Sequence, residues 1–183
     1  MAACHVSALL ENQYMTIKLK IEPLTQDTFA PFGRVIAAEY GEKIIINEGT
    51  TTRHHALAAP DVCDDGGKAI ISLFRADRRP VPIQIKMMER HPLGSQAFLP
   101  AQRHDWIVVV ASGNKPTAET CRAFIATGEQ GVQYNKGIWH HPLLILQNTQ
   151  DFWVIDRAGS GDNLDEVYFD GEFASVDING ANE

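Results

Sequence analysis

Two short stretches hold the residue types that could do chemistry: ERHPLGSQAFLP, with Glu89, His91 and Gln96, and NKGIWHHPLLIL, with the adjacent pair His140 and His141. Side chains on a strand alternate between its faces, so Ile83, Ile85, Met87, Glu89 and His91 are predicted to share one face. An apolar inner stripe would then end in a carboxylate and an imidazole where a barrel opens. After a tight turn at residues 92–95, Gln96 begins the returning strand and could meet them. A carboxylate, an imidazole and an amide oxygen at one cavity mouth can coordinate a divalent metal or hold a small polar substrate. The plainer alternative makes Glu89 and Arg90 the solvated end of an edge strand, with His91 capping the turn. Of His140 and His141, one ring faces inward and needs a partner.

The elements that must position these groups are strands. Residues 16–22 alternate with Ile17, Leu19 and Ile21 on one face, and Pro23 closes the run. Residues 25–33 allow one short helix at most, opened by a capping Thr and stopped by Pro31 and Gly33. Further strands are predicted at residues 43–47, 69–75, 81–91, 96–100, 106–111, 121–126, 138–146 and 151–156. Turn signals separate them, among them Asp64-Asp65-Gly66-Gly67 and Ser112-Gly113-Asn114. Many short strands with close-set turns and almost no helical period indicate an all-β antiparallel sandwich or barrel. The organisation expected is an N-terminal extension over residues 1–14, one β-barrel domain over 15–170 and a C-terminal tail over 171–183.

Composition narrows the class of partner. The chain has 183 residues, 44% hydrophobic, enough for one domain with a sizeable core. A formal charge of −7 argues against nucleic acid and against an anionic membrane surface, both of which attract basic faces. No apolar run approaches the roughly 18 residues that span a bilayer. The first residues lack the charged start and long apolar stretch of a secretory signal, and the three cysteines, Cys4, Cys63 and Cys121, are scattered. These features predict a reducing, cytoplasmic setting and a small-molecule partner.

Longer phrases carry a resemblance. Glu89-Arg90-His91 followed by Gln96 resembles the first cupin motif, and Gly137-Ile138-Trp139-His140 resembles the end of the second, which supplies the last ligand. Glu89 stands where a histidine is usual and Gln96 where a glutamate is usual. ERHPLGSQAFLP, RAFIATGEQGVQYNKGIWHHPL and DFWVIDR together resemble the ureidoglycolate lyase family over residues 16–161. The resemblance implies a cupin-type jelly-roll barrel with few short helices, a homodimer, and a carbon–nitrogen lyase of allantoin degradation that converts (S)-ureidoglycolate to glyoxylate and urea. It also implies a divalent metal, nickel being the ion suggested, with Glu89, His91, Gln96 and His140 as the ligand set. A metal-free enzyme is the alternative. Other functions to be weighed are a small-acid-binding cupin without catalysis and an amidohydrolase that releases ammonia.

Such a cleavage sets three tasks: removing the hydroxyl proton, protonating the leaving nitrogen and holding the carboxylate. Glu89, His91 and His140 are candidate proton carriers, and Tyr134 is a candidate donor. Arg75 is predicted to hold the carboxylate, because it shares a strand face with Ile71 and Leu73 and its planar fork suits a carboxylate. Arg90 should face outward and Lys136 should be solvated. Asn47, Gly49, Arg53 and His55, in NEGTTTRHHALAA, match the family's places and could close over the cavity as a loop. Cupin register predicts that His140 faces the cavity and that His141 turns away.

Overall fold

A computed structural model describes residues 15–169 and 172–178. It is an all-β structure with a single short α-helix among the described residues. In chain order the strands are β1 (Met15–Leu19), β2 (Ile21–Pro23), β3 (Gly33–Ile36), β4 (Glu42–Ile46), β5 (Thr51–His55), β6 (Lys68–Asp77), β7 (Ile83–Ile85), β8 (Met87–Arg90) and β9 (Gln96–Pro100). They continue with β10 (Trp106–Ala111), β11 (Cys121–Ala126), β12 (Gly131–Tyr134), β13 (Trp139–His140), β14 (Leu144–Ile145), β15 (Thr149–Ala158), β16 (Asp165–Tyr168) and β17 (Glu172–Val176). The helix, Gln26–Phe29, is one turn. It starts where the sequence signals it should, because the Thr25 hydroxyl accepts from the Thr28 N–H while the Thr28 hydroxyl accepts from the Thr25 N–H.

Two sheets face each other over the main core. One has the order β3-β12-β9-β15-β6; the other runs β16-β8-β13-β10-β11-β2, with β14 also paired to β10. Phe98, Val132, Phe152 and Val154 from the first meet Val108, Val110 and Phe124 from the second. The second sheet is covered on its far side as well, where Ile107, Val109 and Ala123 pack against Ile83, Ile85, Ala174 and Val176 of the small sheet β1-β17-β7. β10 therefore lies in the middle layer. None of its six residues is more than 1% exposed, which is why WIVVVA reads as an unbroken apolar run with no alternation.

Several expectations change at this level. The pairing is not wholly antiparallel, since β1 pairs with β17 and β2 with β11 in parallel. The predicted strand over 81–91 breaks at Lys86 into β7 and β8. Across that break the faces switch: Ile83, Ile85 and Met88 share the outer core, so Glu89 and His91 face the other way from the isoleucines rather than ending their stripe. The stretch expected as a tail contributes β17 to the small sheet, while residues 1–14 lie outside the described residues.

Candidate active site

Register places the polar residues in two facing rows. On one sheet Glu89 of β8 pairs with His140 of β13. On the other, Tyr134 of β12 pairs with Gln96 of β9, and Asp156 of β15 lies one step beyond the Ile155–Ala97 pair, beside Gln96. Asp156 stands at the end of an apolar stripe, after Phe152 and Val154, both 0% exposed. The turn between β8 and β9 is held tightly. Ser95 donates its N–H to the Asp61 carbonyl and accepts from the Asp61 N–H at its hydroxyl, each at 2.8 Å. A Cβ on Gly94 would stand 2.7 Å from Arg157 Cβ, so a larger residue there would push the turn, and Gln96 with it, out of place.

Glu89, His91 and His140 come together with ligand atoms all within 4.8 Å of one another. His140 Nε2 is 3.6 Å from Glu89 Oε1, and the two imidazole rings are 5.3 Å apart at their centroids. Both rings are oriented from behind. His140 Nδ1 meets the Ile138 carbonyl at 2.9 Å and His91 Nδ1 meets the Asn163 carbonyl at 2.7 Å. A carbonyl can only accept, so each Nδ1 carries a hydrogen, and a ring without a second proton presents its Nε2 lone pair to the centre. Both Nε2 atoms are buried without a hydrogen-bond partner among the described residues, as is Gln96 Oε1. With the rings unprotonated, two Nε2 lone pairs beside the Glu89 carboxylate form a donor set that fits a divalent cation, and backbone-anchored imidazoles are the usual form of histidine ligands.

The electrostatics agree with a charged Glu89. Burial raises its pKa, but the contact with His140, together with the field of His140 and His91 when they carry a proton, outweighs this and holds it below the ordinary carboxylate value. Tyr134 stacks on His140, with centroids 4.2 Å apart and planes 11° from parallel. Its burial raises the phenol pKa far above the ordinary value, so the ring stays protonated at working pH. Asp156 is raised, chiefly by burial, against the Gln96 amide and His91, which lower it.

A cavity of about 330 Å³ opens beside Glu89, lined also by Phe74, Arg75, Arg79, Phe98 and Leu143. Arg75 is on its rim but does not point inward as predicted. Phe74 takes the inner face, ring against Phe98 at 6.1 Å, and leaves Arg75 outside with Ile71 and Leu73. The Arg75 side chain is 68% exposed and forms a two-pronged pair with Asp151, at 2.8 and 3.0 Å. Arg90 does face outward, paired with Asp165 at 2.8 Å and set over the Trp139 ring at 4.6 Å. Lys136 is not simply solvated: it bridges Asp61 and Asp64 at 3.0 and 2.8 Å.

The other sequence candidates lie apart. Asn47, Arg53 and His55 belong to the β4–β5 hairpin, a separate two-stranded sheet, and share no hydrogen bond or ion pair with the triad among the described residues. Asn47, at φ 52°, donates to the Thr51 hydroxyl, Arg53 is exposed, and His55 Nδ1 is buried without a partner among the described residues. His141 sits behind the site against a neighbouring cavity with Arg79 and Met87. Three residues that the motifs did not single out belong to the surroundings: Arg79 on the rim, Asp156 beside Gln96, and Asn163, whose carbonyl fixes His91. Asp156 could have been found by the same alternation that found Glu89.

A family model described as ureidoglycolate lyase matches residues 16–176. A curated ureidoglycolate lyase of Pseudomonas syringae pv. tomato is 50% identical over 153 residues, covering 83% of this chain and 90% of the relative. Relatives with the same name from Pseudomonas putida (strain W619) and Pseudomonas paraeruginosa are each 49% identical over 152 residues. Each alignment covers 82% of this chain and, respectively, 91% and 90% of the relative.

Proposed function

The chain belongs to the ureidoglycolate lyase family, and we propose that it is a carbon–nitrogen lyase that converts (S)-ureidoglycolate to glyoxylate and urea in allantoin degradation. One observation supports this most: two imidazoles locked by backbone carbonyls turn bare Nε2 atoms toward an ionised Glu89 at the edge of a cavity sized for a small acid.

The cleavage breaks an O–H and a C–N bond and makes a C=O and an N–H bond, with no net change in protons. The Glu89–His140 pair takes the hydroxyl proton as the carbonyl of glyoxylate forms, and the negative Glu89 stabilises the imidazolium that results. The same pair returns the proton to the departing ureido nitrogen. Tyr134 covers one face of His140, keeping water from that ring and fixing its plane. Arg79 on the cavity rim attracts the substrate carboxylate.

A divalent cation, nickel in the family-based reading, would be held by Glu89, His91, His140 and Gln96 in place of the proton that the Glu89–His140 pair otherwise carries, and when bound would supply Lewis-acid polarisation of the substrate hydroxyl. The homodimer and the cytoplasmic setting belong to the same proposal. In support of the first, Ile71, Leu73 and Trp153 form an apolar patch on the outer face of β6 and β15, respectively 72%, 49% and 51% exposed, of the kind that marks a contact surface. No helix among the described residues is long and apolar enough to cross a membrane. The function is tested by following glyoxylate release from (S)-ureidoglycolate with the wild type and Glu89→Gln. Turnover by the wild type, falling at least ~100-fold in the variant, supports the proposal; equal turnover by both removes Glu89 from the mechanism.

A further inference from the structure

Asp156 lies in the DFWVIDR stretch but is given no role by it, and its surroundings give it a task. It is the last inward residue of the β15 stripe, after Phe152 and Val154, and its cross-strand neighbour is Gln96. On the other side of Gln96 is Tyr134, whose ring stacks on His140. The Gln96 amide is thus held between a carboxylate and the ring that flanks a ligand histidine.

An amide has two ends of nearly equal shape and opposite polarity, so something must choose which end faces the triad. A carboxylate oxygen accepts and cannot donate. Asp156 therefore draws the Gln96 NH₂ toward itself: the two are cross-strand neighbours, Asp156 Oδ1 is buried with no partner among the described residues, and the Gln96 amide lowers the Asp156 pKa as an N–H turned toward it would. The consequence is that Oε1 is turned away from Asp156, and it is buried with no partner among the described residues. With the amide reversed, N–H groups would face a centre lined by two Nε2 lone pairs, and a cation there would meet a positive dipole end.

We infer that Asp156 is a positioning residue: it fixes Gln96 with Oε1 toward Glu89, His91 and His140, so that the amide oxygen completes the donor set for a divalent cation. This rests on the cation reading of the triad and adds to it a residue that acts only through Gln96. Outer partners of this kind typically change metal affinity by 10–100-fold.

The test is Ni²⁺ binding to the chelator-stripped protein, measured by competition with a chromophoric chelator, together with the visible d–d spectrum of the Co²⁺ form. Asp156→Asn offers the amide both a donor and an acceptor, so it removes the choice of orientation. It is expected to weaken Ni²⁺ about 10–100-fold and to shift the Co²⁺ bands. Adding Gln96→Glu to that variant presents an oxygen whichever way the group turns, and is expected to restore affinity to within about threefold of the wild type. Asp156→Ala serves as a second variant, with thermal melting as the check on folding. Wild-type affinity in a folded Asp156→Asn or Asp156→Ala protein overturns the inference. So does failure of the Gln96→Glu rescue, which would mean that Asp156 does not act through Gln96. A wild type that binds no Ni²⁺ or Co²⁺ overturns the cation reading beneath it, an outcome distinct from the other two.

Discussion

Replacing His141 with glutamine turns the difference between two adjacent histidines into a measurable pH effect. His141 is 4% exposed, and its Nδ1 meets the Pro142 carbonyl at 2.8 Å. Burial lowers its pKa from 6.5 to about 4, only partly opposed by the bond to Pro142. Because the folded-state value is depressed, the unfolded chain takes up a proton below pH 6.5 while the folded chain refuses one until about pH 4. Stability is therefore complete above pH 6.5 and is lost progressively as pH falls toward 4. At about 1.4 kcal/mol for each pH unit, the wild type should lose roughly 2–3 kcal/mol from this group between pH 7 and pH 4.5. Other acids titrate in the same range, so the quantity to compare is the difference between the two proteins. Urea denaturation at half-unit pH intervals would give it. A glutamine side chain does not titrate, so the stability curves of wild type and His141→Gln should converge by that amount as pH falls. Curves that stay parallel would refute the reasoning and mean that His141 is solvated or paired. Because His141 lies outside the triad, turnover at neutral pH should stay within about threefold of the wild type.

Other substitutions separate the site from its supports. His140→Ala should lower kcat by about 10²–10⁴ in a protein that still melts cooperatively, as seen in steady-state kinetics beside a thermal scan. Phe152→Ala should cost about 3–5 kcal/mol in chemical denaturation, since the ring is fully buried and packs on Trp106 with centroids 4.9 Å apart. Leu73→Asp should leave the fold intact and convert a homodimer to a monomer by light scattering; an unchanged mass would move the interface elsewhere. Arg75→Ala should leave both the melting temperature and KM nearly unchanged, because the side chain faces outward and its pair with Asp151 is a surface one.

The all-β class and the bounds of β9, β10 and β11 were readable because turn residues and proline punctuate clear apolar runs. Glu89, His91 and His140 were readable because ligand spacing survives in one dimension. Facing was harder to read. Ile71, Leu73 and Arg75 look like an inner stripe because their face is as apolar as the opposite one, and only the packing of Phe74 on Phe98 decides between them. The break at Lys86 is equally invisible to alternation, yet it reverses which neighbours share a face with Glu89. β3, β12, β16 and β17 are short and take their stability from pairing partners distant in sequence, a form of order that local propensity does not report. Asn163 holds His91 through a backbone carbonyl, so no side-chain motif could have signalled it.

The chain is expected to cleave the C–N bond of ureidoglycolate without hydrolysing the urea group. Quantifying glyoxylate, urea and ammonia after complete conversion of (S)-ureidoglycolate by the purified protein tests it most directly. One urea for each glyoxylate, with no ammonia, is the predicted result. Ammonia in place of urea, or no product at all, would contradict it.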